Sequence, residues 1–386
     1  MNYRDFKNFK FSEIGVGTYS LSGVYGKKDL NKFKNMIYRA VDLGINFFDT
    51  AEAYGDAEKI LGDYVKEFRK NIYIATKVGV KKGIKPNLKE DYIISACEES
   101  LKNLKTDYID LYQIHFNDPE TPVEETVNAL EKLKKNGKIR EYGVGHLPIN
   151  RTEEYFKIGK PLTLLMELSA VSRESSNEFI PLSQKYDIGI IAFSTTGRGI
   201  LTGRFNENKS FEPQDIRNYD PLFQYEKFES SIRIYKKFEE LSKKYNKTPT
   251  QIAINWVLCQ KNVVCALTGP SNIEHLEENI EASGFKISEE DLLELEELFK
   301  KEDEWLKEVG LKRIQKILSE PISDDLFLTF KNFVYVIETS LSLKLIEEKD
   351  IIPIFQKLFG LFKNLDKSSK EEFEKIKDDL KKLINI

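Results

Sequence analysis

Short apolar runs alternate with amphipathic segments along most of the chain. Eight runs have strand character: FSEIGVGT (11–18), INFFDTA (45–51), NIYIATKV (71–78), YIDLYQIH (108–115), IREYGVG (139–145), LTLLMELS (162–169), IGIIAFS (188–194) and VVCALTG (263–269). Their hydrophobicity is continuous rather than alternating, which suits strands buried on both faces of a parallel sheet. The segments between them carry the period of helices. LKEDYIISACEESLKNL spaces its apolar residues by three and four. TPVEETVNALEKLKKNG opens with Thr121 as a predicted N-cap, Pro122 at the first helical position and Glu124 at the third, and closes on lysines and Gly137. TPTQIAINWVLCQK repeats the device with Thr248, Pro249 and Gln251.

Eight strands, each followed by a helix, predict an α/β fold, a (β/α)8 TIM barrel over residues 1–300. The alternative is an open doubly wound sheet. It is disfavoured because the first strand leads into GVGTYSLSG, which is not the GxGxxG of a dinucleotide-binding turn. Past residue 300 the pattern changes. KKEDEWLKEVGLKRIQKILSE is charged and helical, and FKNFVYVIETSLSLKLIEEKD, IIPIFQKLFGLFKNL and EEFEKIKDDLKKLINI have apolar residues at helical spacing. Residues 301–386 therefore read as an appended extension of three or four helices. Its apolar faces must cover each other, the barrel, or another subunit, so an oligomer or a partner bound through 301–386 is one expectation.

In a closed parallel barrel the C-terminal strand ends open on one face, and active sites lie there. The second strand ends at Asp49, with Tyr54 just beyond. The third ends at Lys77 and the fourth at His115. Neighbouring parallel strands are about 4.8 Å apart, so these groups can meet. Taken singly each has an ordinary explanation: a helix cap, a strand-end lysine, a packed ring, a satisfied histidine. Four of them on consecutive strand ends make a constellation. A phenol, with a pKa near ~10, is a poor acid at neutral pH. A cation beside it is expected to favour the phenolate, a carboxylate holds that cation in place, and an imidazole aims an N–H at a carbonyl oxygen. Such a set protonates an alkoxide as it forms from a carbonyl, and a cofactor must supply the hydride.

FFDTAEAYG, IATKVG, DLYQIHFNDP, AFSTTGRGILTG and GPSNIEHLEENI together resemble the aldo-keto reductases, in order and in spacing, over nearly all of residues 10–300. The resemblance implies a (β/α)8 barrel that binds NADP(H) and reduces aldehydes and ketones. It implies Tyr54 as general acid, Lys77 and Asp49 as the groups that tune it, and His115 as the residue that orients the carbonyl. It places Phe193 against the nicotinamide and Ser194, Thr196 and Gly197 along the pyrophosphate. Glu278 and Asn279 fall at the adenine end, and Tyr19 faces the substrate. Ser271 and Asn272 stand where the family often has a base for the 2′-phosphate. NADP(H) is the expected cofactor, with NAD(H) the alternative because neither residue is basic. His146 replaces the usual carboxamide-holding asparagine; it either donates that hydrogen bond or lines the substrate pocket. The glutamine that assists it in the family is Leu165 here. The atypical grip and the extension also allow a second reading: a nucleotide-binding regulatory subunit with little turnover.

The chain has 386 residues, 40% of them hydrophobic, enough for a large core. Its formal net charge is −4 with both signs interspersed, which argues against a nucleic-acid or acidic-membrane partner. Cys97, Cys259 and Cys265 form no CxxC pair and read as core residues rather than a disulfide framework. The opening MNYRDFKNFKF is too polar for a secretory leader and no run is long enough to span a bilayer, so a cytoplasmic location is expected. No histidine, cysteine and acid cluster has metal-ligand spacing, and no metal is expected. GxSxG, Walker A and HExxH patterns do not occur. The expected partner is a small-molecule carbonyl compound.

Overall fold

In the computed structural model, which describes residues 1–26, 29–81, 85–205, 211, 215–363, 365 and 369–385, a hairpin precedes the barrel. β1 (Tyr3–Phe6) pairs antiparallel with β2 (Phe9–Ser12). The barrel strands are β3 (Ile14–Gly17), β4 (Phe47–Asp49), β5 (Tyr73–Val78), β6 (Ile109–Ile114), β7 (Ile139–Gly145), β8 (Thr163–Glu167), β9 (Gly189–Phe193) and β10 (Val263–Thr268), all parallel, with β10 closing on β3. Each lies inside one of the eight apolar runs. The hairpin was not foreseen; the first run merged the end of β2 with β3. Phe9 and Phe11 of β2 join Phe47, Leu111, Leu165, Ile191 and Cys265 in one buried cluster. Phe11 meets Phe47 edge-on at 5.3 Å. Phe47 begins β4, so the hairpin plugs the N-terminal end of the barrel and leaves the other end for chemistry.

The helix Pro249–Leu258 has the expected capping box: Thr248 and Gln251 exchange hydrogen bonds. The helix Val123–Lys135 begins one residue later than expected, with Pro122 rather than Thr121 at the cap position. The Thr121 hydroxyl donates to Asp118 at 2.6 Å.

Two compact units divide the chain: residues 1–204 with 238–288, and residues 205–237 with 289–386. The first contains the barrel. The second contains the long helix Glu289–Ser319 and the helices Leu326–Ser342, Glu348–Phe362 and Ser369–Ile384. Its core joins Ile314, Leu318, Phe330, Phe333, Leu358 and Phe373. The loop residue Tyr219 packs edge-on against Phe330 at 5.5 Å and Phe362 at 5.6 Å. Glu226 accepts from the Arg313 guanidinium at 2.8 Å and the Tyr335 hydroxyl at 3.2 Å. All three cysteines are free thiols, two buried and one half-buried. Among the described residues no helix is long and apolar enough to cross a membrane.

Candidate active site

The open rim holds ionisable groups in an apolar wall. Asp49 ends β4 beside Ala75 of β5, and Lys77 stands two residues further along that strand, opposite Gln113 of β6. Period-two alternation points Lys77 and Ala75 to the same face, into the barrel. The Lys77 ammonium donates to Asp49 Oδ1 at 2.5 Å and to the carbonyl of Thr50 at 2.7 Å. Gln113 Nε2 donates to Asp49 Oδ2 at 3.2 Å. Lys77 is 1% exposed. A charge so removed from water must be matched by partners, and here one carboxylate and one carbonyl match it.

After Asp49 the chain makes one short 3-10 turn, Glu52–Tyr54, which brings Tyr54 back over the rim. The Lys77 ammonium lies 4.9 Å from the centre of the Tyr54 ring. His115 follows β6 directly; its amide donates to Val78 O, which continues the sheet register by one residue. Its ring stands edge-on to Tyr54 at 5.7 Å. Tyr19 packs on the other side of Tyr54 at 5.0 Å. From His115 the ring contacts continue to Phe116 at 4.5 Å and His146 at 5.8 Å, and from His146 to Phe193 at 5.1 Å. Asp49, Tyr54, Lys77, His115, Tyr19, His146 and Phe193 thus share one continuous cluster.

The electrostatics follow from burial. Desolvation, then the Asp49 charge, hold the Tyr54 phenol well above its ordinary pKa. The sequence-based expectation of a lowered phenol is not met here, because burial penalises the charged phenolate and the Asp49 charge adds to that penalty. Desolvation raises Asp49 while Lys77 opposes the rise; it also lowers Lys77 against the pull of Asp49. Desolvation and the Lys77 charge push His115 well below the ordinary histidine value. His146 is crowded by protein yet reached by solvent through the rim, and desolvation with the Lys77 and Arg198 charges lowers it to about 4. Both imidazoles are neutral at pH 7.

The loop after β9 is built from left-handed backbone. Ser194, Gly197 and Arg198 have φ of 57°, 58° and 52°. Gly197 admits no side chain: a Cβ there would come within 2.3 Å of Val171 Cγ2. His146 is also left-handed, with φ 50°, and such positions concentrate at functional sites. Thr195 ties this loop to the end of β10 by donating to Leu267 O at 3.3 Å. In the loop after β10 Asn272 caps the helix Ile273–Ile280 by accepting from the His275 amide at 2.8 Å. Glu278 and Asn279 lie on the same helix, Asn279 buried, and Gln251 Nε2 donates to the Glu278 carbonyl at 3.1 Å. These residues stand outside the ring cluster.

Two groupings were not legible beforehand. The His275 ring joins Ser271 Oγ, 2.7 Å from its Nδ1, to the Arg204 guanidinium at its Nε2. A base therefore does reach the loop that lacks one in sequence, from 71 residues away. Arg198 pairs with Glu167 at 3.0 Å. Glu167 ends β8 one layer above Leu165, which is buried in the barrel interior. An acid at that strand end was a signal available in the sequence.

The Aldo/keto reductase family profile matches residues 13–300. Aldo-keto reductase YhdN of Bacillus subtilis is 33% identical over 289 residues, 72% of this chain and 87% of the relative. Aldo-keto reductase yakc [NADP(+)] of Schizosaccharomyces pombe is 31% identical over 296 residues, 74% of this chain and 87% of the relative. Among solved structures, the glycerol dehydrogenase AKR11B4 from Gluconobacter oxydans superposes with a TM-score of 0.72 at 27% identity, covering 78% of this chain and 96% of that one. With the barrel and the rim as described, this chain belongs to the aldo/keto reductase family and is an NAD(P)H-dependent oxidoreductase that reduces an aldehyde or ketone to an alcohol.

Proposed function

We propose that reduction takes place at the rim of the barrel, with Tyr54 as the proton donor and NADP(H) as the preferred cofactor. The observation that carries this reading is the meeting of four side chains: Lys77 bonded to Asp49 at 2.5 Å, its ammonium 4.9 Å from the Tyr54 ring centre, and His115 edge-on to that ring at 5.7 Å. The bound nicotinamide supplies the hydride. A donor must hold its proton at working pH, and burial with the Asp49 charge keeps Tyr54 protonated. Lys77 lowers the cost of the phenolate left once the proton has gone to the substrate oxygen. Asp49 and Thr50 O hold Lys77 for that task. His115, neutral, offers one N–H to the carbonyl oxygen, and Tyr19 faces the substrate beside it.

The rim fits a dinucleotide. Phe193 and His146 form an aromatic wall suited to the nicotinamide face, and His146 brings the polar edge its carboxamide needs. Ser194, Thr196 and Gly197 fall where a pyrophosphate would lie, and Ser194 and Gly197 have the left-handed backbone that makes anion-binding concavities. Arg204, with His275, Ser271 and Asn272, supplies the positive charge a 2′-phosphate needs, and Glu278 and Asn279 lie toward the adenine. The NADP(+) in the name of the Schizosaccharomyces pombe relative agrees with this preference. In this reading residues 1–300 are the reductase module of a cytoplasmic enzyme. Residues 301–386 are an extension able to serve an oligomer or a partner.

The test is steady-state oxidation of NADPH against a panel of aldehydes and ketones. Turnover by the parent and a loss of about 10²-fold or more in Tyr54→Phe are expected, the usual weight of a general acid. Tyr54→Phe turnover within a few-fold of the parent would refute the role given to Tyr54.

A further inference from the structure

The turn that carries Tyr54 is weakly held by its own chain. It is three residues long, its N-cap Ala51 provides no side-chain cap, and it ends at the left-handed Gly55. The Tyr54 amide to Ala51 carbonyl bond, at 3.1 Å, closes it. Beyond the ring contacts of Tyr54, Glu52 ties it to the rest of the rim by hydrogen bonds. One oxygen of that carboxylate, Oε1, accepts from the Gly79 amide at 2.8 Å and from the Tyr92 hydroxyl at 3.1 Å. Gly79 stands two residues past Lys77, just beyond the end of β5. Tyr92 belongs to the helix Glu90–Leu104. A single oxygen therefore links the turn bearing the phenol, the backbone bearing the ammonium and the helix behind them.

We propose that Glu52 is a positioning residue for Tyr54: it sets the placement of the phenol over Lys77 without touching substrate or cofactor. This rests on the reading of Tyr54 as proton donor. The physical reason is the steepness of proton transfer with geometry, where a displacement of about 1 Å costs on the order of 10²-fold. Asp49 and Lys77 fix each other by their ion pair, so the strand side of the site is rigid. On the turn side the Tyr54 ring packs against Tyr19 and His115, and Glu52 supplies the side-chain hydrogen bonds that tie the turn to the strand and helix behind it. Burial raises the Glu52 carboxyl, yet Oε1 accepts the same two hydrogen bonds whether the group is ionised or not. The role lies in the bonds rather than the charge, so glutamine should fill it.

The experiment is a double-mutant cycle in the full-length protein, with NADPH and an aldehyde both saturating. Glu52→Ala should lower kcat about 10- to 100-fold while the Kd for NADPH stays within two-fold. Glu52→Gln should stay within about three-fold of the parent. Glu52→Ala in the Tyr54→Phe background should cause no further loss, because Glu52 acts only through Tyr54. Tyr92→Phe, which deletes one bond and keeps the packing, should show the same pattern at smaller amplitude and stands in for Glu52→Ala if that variant does not fold. A Tyr54→Phe variant as active as the parent would overturn the underlying reading, and this proposal with it. A crippled Tyr54→Phe beside a fully active Glu52→Ala, or losses that multiply in the double variant, would overturn this proposal alone.

Discussion

The two compact units differ in the charge they bury. The helical unit gathers Phe330, Phe333, Ile337, Leu358, Phe373, Ile376 and Leu380 in one aromatic and aliphatic cluster, with a few polar groups such as Thr339 and Ser340 buried beside it. Ionic contacts such as Arg313 with Glu226 lie at its partly exposed border. The barrel unit closes one end with the same kind of residues, Phe9, Phe11 and Phe47, but at the other end it buries an acid, a lysine, an amide and a histidine. Burying an ion pair seldom adds stability over well-packed apolar groups. The contrast separates what the two interiors are for: one holds structure, and the other gives up stability to keep charge beside a phenol.

That contrast can be broken by substitution. The largest effect is expected from Lys77→Met, which leaves Asp49 buried without its cation. Loss of one partner of a buried pair costs about 3–5 kcal/mol, read by urea denaturation, and turnover should fall by at least ~10²-fold. Asp49→Asn with Lys77→Met should recover much of that stability and none of the turnover; if turnover returned as well, the ion pair would be structural only. Phe330→Ala removes a fully buried ring from the helical core and should cost about 3–5 kcal/mol, with kcat per folded molecule unchanged. A kcat that falls in proportion would erase the division of labour.

Smaller effects sharpen the picture at the rim. Arg204→Ala should weaken NADPH binding about tenfold or more, the scale of a lost charge-assisted hydrogen bond, and leave NADH binding unaltered. Equal losses for both nucleotides would move Arg204 away from the 2′-phosphate. The smallest effect is the pH dependence of stability. His115 and His146 are lowered in the folded state, His146 to about 4, so as pH falls below about 6.5 the unfolded chain takes up protons first. Stability at neutral pH is therefore lost progressively between about 6.5 and 4. The raised Asp49 acts the other way, within the carboxylate range. His146→Asn should flatten the slope between pH 6.5 and 4, checked by denaturation midpoints across that range; an unchanged slope would show that His146 titrates normally.

Much of the barrel was legible because buried parallel strands leave continuous apolar runs, and strand ends carry their own labels: Asp49, Lys77 and His115 each stand within two residues of the end of such a run. The N-terminal hairpin was hidden because Lys7 and Asn8 join its strands without the Asn-Gly or Asp-Gly signature of a tight turn. Arg204 with His275, and Arg198 with Glu167, escaped because side chains from separate loops meet there and no local period records it. The Tyr54 expectation erred in sign for a related reason. Sequence shows that a lysine is near, but not how deeply the phenol is buried or that the Asp49 charge lies close enough to oppose the phenolate. The loop stretches 19–28 and 205–228, expected to shape the substrate pocket, run partly outside the described residues.

The most direct measurement is a single turnover: the full-length protein loaded with NADPH, mixed with an aldehyde in excess, and followed by the loss of reduced-nicotinamide absorbance. The account predicts that the parent oxidises one equivalent in one fast phase. It predicts that Tyr54→Phe binds NADPH as tightly and reacts at least ~10²-fold more slowly. An unaltered rate in Tyr54→Phe, or a parent that binds NADPH and oxidises none of it with any carbonyl compound, would contradict it.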